Sequence, residues 1–161
     1  MNDHANAFIK LAHSRSFKFF LLKKLPAAYF SSVRIKNINE TTCSVGVPFT
    51  WFTKNPFRST YFACLAMAAE LSTGALAMAH VYKRKPAVSM LVIKMEAEYF
   101  KKATDVTIFT CEDGLLFKNL IDKAVVTGES QIVTATSRGV DSEGELIAIF
   151  TIVWSFKAKL K

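Results

Sequence analysis

The sequence predicts an α+β fold in which a strongly curved, six-stranded antiparallel sheet wraps around one long central helix. Three observations carry that expectation. Residues 60–82 form a helical stretch that is apolar nearly all round, so most of its surface must be covered. Three strand pairs stand before, between and after helical segments, each pair joined by a short turn. With 161 residues and no internal repeat, linker or low-complexity stretch, one domain (1–161) must supply the whole covering layer. At that size, only a sheet that curls around the helix covers it on several sides.

The elements follow in order. Residues 8–25 (FIKLAHSRSFKFFLLKKL) read as an amphipathic helix packed on the domain, so that 1–26 is an N-terminal helix ended by Pro26. Its uninterrupted apolar run is only Phe19 to Leu22, with Lys23-Lys24 after it and no small-residue cleavage site, which argues against a signal peptide. Residues 33–38 and 42–48 read as a hairpin through Asn39-Glu40-Thr41, with Val33, Ile35 and Asn37 alternating against Arg34 and Lys36. Asn55-Pro56 makes a turn, and Ser59 or Thr60 is the expected cap of helix 60–82. Lys83-Arg84-Lys85-Pro86 ends that helix with cations at its negative pole.

Residues 88–100 alternate, placing Leu91, Ile93, Met95, Ala97 and Tyr99 on one face and Lys94, Glu96 and Glu98 on the other. A paired strand at 105–111 follows, and Asp113-Gly114 opens a short extra helix whose apolar face is Leu116, Leu120 and Ala124, with Gly128 as C-cap. Strands at 130–139 and 145–157 close the chain as a hairpin. The last is apolar on both faces and is expected centrally in the sheet.

Composition narrows the function classes. Cys43, Cys64 and Cys111 are odd in number and without metal-ligand spacing, as expected of reduced, packed thiols in the cytoplasm, with no metal site. The net charge of +8 invites an anionic partner, but the basic residues are scattered rather than striped among aromatics, which argues against nucleic acid. Residues 61–79 are long enough to suggest a membrane span, yet Glu70 beside Ser72, Thr73 and Gly74 makes insertion poor, so no integral membrane segment is expected. Fourteen Phe fit either an aromatic core or a cavity for an apolar ligand.

Glu70 is the one charged side chain between Arg58 and Lys83. Burying an ionised carboxylate costs several kcal/mol unless it is paired, hydrogen-bonded, protonated or facing a wet cleft. Its residue type therefore fits a general base or nucleophile with a raised pKa, and equally a buried ion pair with Arg58 or a lysine. The helix start offers free backbone N–H groups at Tyr61, Phe62 and Ala63 for a developing oxyanion. Asn55 either orients a water there or simply forms the turn before Pro56.

These residues together resemble a family. The stretch Asn55-Pro56-Phe57-Arg58-Ser59-Thr60-Tyr61-Phe62-Ala63, then Glu70 and Gly74, is similar to the hotdog-fold thioesterases of the phenylacetate-pathway type. There, an Asn leads to a helix opening with His-Gly-Gly, an acidic residue follows on the helix, and often a glycine lies one turn beyond. Residues Glu98 to Ala103 and Val140 to Ala148 resemble the family's later hairpins. The resemblance runs from about residue 30 to the end and is strongest to an uncharacterised branch with an N-terminal helix and an added helix before the last hairpin. It implies acyl-CoA thioester hydrolysis by Glu70 as base or nucleophile, with the Phe62 N–H polarising the carbonyl and Asn55 holding water. It also implies a homodimer or tetramer with the acyl pocket at the subunit interface, and no cofactor beyond the coenzyme A of the substrate. Tyr61, Ala63 and Thr73 are then substrate-binding candidates, and Lys83, Arg84 and Lys85 candidates for the adenosine phosphates. The departure is Tyr61-Phe62-Ala63 where the family has His-Gly-Gly; the glycines let substrate approach the backbone closely, and Phe62 narrows that approach. A module that binds an acyl chain without hydrolysis is therefore the alternative, and a hydratase, which wants a His beside its carboxylate, ranks last.

Overall fold

The computed structural model describes residues 3–159. The elements run α1 (Asp3–His13), α2 (Ser16–Lys24), α3 (Pro26–Phe30), β1 (Arg34–Ile38), β2 (Cys43–Val47), α4 (Phe62–Val81), β3 (Val88–Tyr99), β4 (Thr107–Cys111), α5 (Gly114–Thr127), β5 (Gln131–Val140) and β6 (Leu146–Ala158). All six strands form one antiparallel sheet in the order β1-β2-β4-β5-β6-β3. Helix α4 lies in its concavity, against β1, β2, β4, β5 and β6, with α1, α3 and α5 closing other sides. This is the hotdog layout.

Helix α4 sits there because its sequence leaves no polar side. From Leu71 to Ala77 every consecutive residue is buried, which an amphipathic surface helix cannot achieve. Its alanines keep it slim, so the sheet closes around it. Although α4 is long and apolar enough to cross a bilayer, most of it is buried in protein. Irregularities in register at Ile35/Asn37, Val92/Lys94 and Gly139/Val140 add local bends that help the sheet to curl.

Several expectations are corrected. The N-terminal helix is three helices: the chain breaks at Ser14-Arg15, and Pro26 starts α3 at its first turn, where a missing N–H costs nothing, rather than merely ending a helix. The alternation expected in β1 fails at its irregularity, so Asn37 is exposed while Ile38 is buried. Neither Ser59 nor Thr60 caps α4; the N-cap is Tyr61, without a side-chain bond. Helix α5 buries Phe117, Ile121 and Ala124, whereas Leu116 is exposed. Gly128 does cap it, with φ 71°. Strand β6 is an interior strand, between β5 and β3.

Strand β3 departs furthest. It is an edge strand, and the shift between Val92 and Lys94 divides its two halves. Directly opposed residues share a face, so Met90 and Val92, opposite buried Phe156 and Trp154, point inward together with Met95, Ala97 and Tyr99. Leu91, opposite Ser155, points outward. The single apolar stripe read from the sequence is therefore broken. Leu91, Ile93, Met95 and Tyr99 all remain exposed at this edge.

Candidate functional site

Glu70 stands midway along α4, half-buried beside a cleft of about 420 Å³. Phe8, Phe17 and Phe20 of the N-terminal helices form one wall, and Met78, Met90 and Trp154 the other. Gly74 lies one turn beyond Glu70. A Cβ there would stand 3.0 Å from Glu70 Oε1 and 3.3 Å from the Trp154 ring, so the missing side chain makes room for the carboxylate beside the indole. Among the described residues the carboxylate has neither an ion-pair partner nor a hydrogen bond, so the buried pair with Arg58 or a lysine is absent. Burial alone pushes its pKa above the ordinary carboxylate range.

Thr73 does not face this cleft. It is fully buried; its hydroxyl donates to the Glu70 carbonyl at 3.0 Å and accepts the Trp154 indole N–H at 3.0 Å. It fixes Trp154, a cleft residue that sequence reading missed. The high Phe count was the only signal for the aromatic wall.

A second cleft, about 520 Å³, opens at the start of α4 between Asn55, Phe57, Tyr61, Phe62, Tyr99 and Phe100, with Lys101 and Lys102 also on its lining. The backbone there is partly engaged. The Thr60 N–H donates to Ala103 O and the Tyr61 N–H to Thr53 O, both at 2.7 Å, so Tyr61 is not the free donor expected of it. Among the described residues the N–H groups of Phe62 and Ala63 have no acceptor and begin α4 at its positive pole. The Tyr61 and Phe62 rings pack edge-on at 4.8 Å, and both stay exposed.

Asn55 shapes the loop. Its Oδ1 accepts from the Phe57 and Ser59 N–H groups at 2.9 and 3.2 Å, while its Nδ2 donates to Ser59 Oγ at 3.1 Å. The side chain is thus committed to a turn that presents the α4 start, including Arg58 at φ 59°.

The structure therefore brings Asn55, Tyr61 and Phe62 to one cleft and Glu70 to another. Glu70 follows Phe62 by two helical turns, about 12 Å along the axis. One carbonyl cannot touch both within a single chain. Lys83, Arg84 and Lys85 stand at the far end of α4, about 30 Å from Phe62. Arg84 is ion-paired with Asp122, and Lys83 lies over the Tyr82 ring at 5.3 Å. The three cysteines are buried and unpaired, and burial raises all three thiols, which are inert on that account. Among the described residues no group of three or more His, Cys, Asp or Glu is placed to hold a metal ion.

Comparison with known proteins bears on the fold. The model of the family described as "Domain of unknown function (DUF4442)" matches residues 14–155. A Pseudomonas aeruginosa protein described as a probable thioesterase superposes with a TM-score of 0.78 at 18% identity, over 93% of this chain and 95% of that one. A Chlorobaculum tepidum protein of unknown function gives 0.76 at 14% identity, over 90% and 94%. A Haemophilus influenzae thioesterase gives 0.66 at 12% identity, over 87% and 88%. At such identities the likeness establishes the shared hotdog fold. No curated protein matches in sequence.

Proposed function

We propose that this chain, which belongs to the DUF4442 family, is an acyl-CoA thioesterase of the hotdog kind that works as a homodimer. The observation that carries the reading is Glu70, an unpaired carboxylate raised in pKa by burial, beside an apolar cleft on the helix whose first N–H groups are free. A carboxylate kept from water by apolar walls is a stronger base than one in solution, and the free N–H groups of Phe62 and Ala63 suit a developing oxyanion. Glu70 acts as general base on water or as nucleophile at the thioester carbonyl; either way the acyl carbon gains an oxygen and the coenzyme A thiolate leaves. Asn55 holds the loop that presents the oxyanion donors.

The two-turn separation of Glu70 and Phe62 supports a site assembled from two copies, the base of one facing the N–H groups of the other. The unpaired edge of β3, with its exposed apolar residues, is the surface on which a second copy fits. Lys102, on the lining of the Phe62 cleft, is better placed than Lys83 and Lys85 to meet the phosphates of coenzyme A, while its neighbour Lys101 is ion-paired with Asp141 at 3.1 Å. Buried free thiols fit the reducing cytoplasm, and no cofactor takes part.

The resemblance itself favours the alternative, an acyl-binding module without hydrolysis: Phe62 falls where the phenylacetate-type thioesterases that this stretch resembles carry glycine. Acyl-CoAs from acetyl to palmitoyl, offered to the wild type and to Glu70→Gln, decide between them. Hydrolysis is expected for the wild type and loss of about a hundredfold or more for Glu70→Gln, the scale of a removed acid–base group. Binding without turnover of any acyl-CoA would establish the module instead, and an active Glu70→Gln would remove Glu70 from the chemistry.

A further inference from the structure

The cleft beside Glu70 is closed by parts of this chain that the composite site does not require. Helices α1 and α2 lay Phe8, Phe17 and Phe20 across it, and the three rings form one layer: Phe17 stacks on Phe20 at 5.4 Å and meets Phe8 edge-on at 6.3 Å. Opposite them stands Trp154, whose only polar atom is already bonded to Thr73. Among the residues that line the cleft, only Glu70 and Lys24 carry a charge. Its volume, about 420 Å³, is that of a small-molecule site.

We propose that this cleft, roofed by the N-terminal helices, is the acyl channel, and that it takes an apolar, unbranched acyl chain. The inference rests on the thioesterase reading and adds the substrate class and the residues that select it. The chain runs between the phenylalanine layer and Trp154, with its carbonyl end at Glu70. Selection against polar acyl groups follows from the lining. A hydroxyl on the chain would find no partner deep in the channel, and an unmet hydroxyl weakens binding roughly tenfold or more. Met78 and Met90, flexible thioethers, conform to a linear chain without fixed shape. Each added methylene raises affinity about fourfold until the channel is full, after which affinity levels off. Length selection thus belongs to α1 and α2 of the same chain rather than to the seam between subunits.

The chain has two tryptophans, Trp51 and Trp154. Trp51 is 80% exposed and away from the cleft, so Trp51→Phe leaves Trp154 as the sole emitter. Fatty acids of eight to sixteen carbons brominated at carbon 6, near the carboxyl end that lies beside Trp154, are titrated against this variant. The expected result is quenching of Trp154 with an affinity that rises with chain length and then levels off, the plateau moving to longer chains in Phe20→Ala, a half-buried position where truncation opens the roof. No quenching at any length, or quenching whose plateau Phe20→Ala leaves unchanged, overturns the channel. The readout needs no turnover: quenching without hydrolysis removes the enzyme reading and keeps the channel, while hydrolysis without quenching does the reverse.

Discussion

A double substitution at the free edge of the sheet, Leu91→Glu with Met95→Glu, tests the assembled site at its weakest link. Leu91 points outward and is 64% exposed, and Met95 points inward and is 39% exposed. Together they leave about one whole apolar side chain uncovered per copy. Covering that much on both sides of a two-fold interface contributes on the order of 4 kcal/mol at about 2 kcal/mol per side chain. Losing it weakens the dimer about a thousandfold, before the repulsion between introduced carboxylates is counted. Leu91 faces water in a single chain and Met95, though inward-pointing, is partly exposed at the edge, so the fold should lose less than the dimer. Sedimentation velocity over a range of protein concentrations measures the dissociation constant, and a urea melt confirms that the separated chains remain folded. Specific activity should fall on dilution in step with the dimer, because Glu70 of one copy then lacks the Phe62 and Ala63 N–H groups of the other. A wild type that is monomeric at every concentration, or a folded variant that dimerises as tightly as the wild type, would refute the reasoning.

Three further outcomes are expected. Gly74→Ala gains about 1 kcal/mol of helix propensity, yet its methyl group at 3.0 Å from Glu70 Oε1 displaces the carboxylate; melting should therefore be little changed while turnover drops at least about tenfold, and unaltered kinetics would show that the carboxylate does not need that space. Thr73→Val leaves the Trp154 N–H buried without an acceptor, which costs about 1–3 kcal/mol; urea midpoints measure it, and a midpoint equal to the wild type's would mean the bond contributes nothing. Burial raises the Glu70 pKa, so the folded chain retains a proton that the unfolded chain releases, and stability falls as pH rises from the ordinary carboxylate range to the raised value. Glu70→Gln should abolish that slope and be the more stable protein above it; superimposable stability–pH curves for the two proteins would contradict it.

Much of the fold was legible because it rests on period and composition. An all-round apolar helix has one kind of home, and the β1–β2 and β5–β6 hairpins followed from alternation and turn chemistry; β3, expected to pair with β4, lies instead at the sheet edge beside β6, while β4 pairs with β2 and β5. What the sequence concealed was register. A one-residue irregularity exchanges the two faces of a strand, so the stripe from Leu91 to Tyr99 read as continuous although the shift after Val92 splits it. The face of α5 failed for a related reason: leucines at 115, 116 and 120 allow two stripes, and only contact with the sheet selects Phe117 and Ile121.

The site was legible as residue types and illegible as places. Glu70 stood out because a lone acid in an apolar helix is costly, and among the described residues it has no ion-pair partner. Asn55 and Thr73 were singled out by position relative to the helix, and both turn out to have their polar atoms engaged within the fold, Asn55 in its loop and Thr73 on Trp154. Helix geometry sharpens the rest. Two turns separate Glu70 from the Phe62 and Ala63 N–H groups whatever the neighbouring chain does, so one chain cannot complete the proposed reaction by side-chain motion alone. An extended Glu side chain reaches only about half of the roughly 12 Å between them. The exposed edge of β3 and the divided site are thus two halves of one requirement. If a second copy is what covers the edge, it is also what brings the donors to the acid, and a chain held as a folded monomer should bind acyl groups beside Trp154 and release them unhydrolysed.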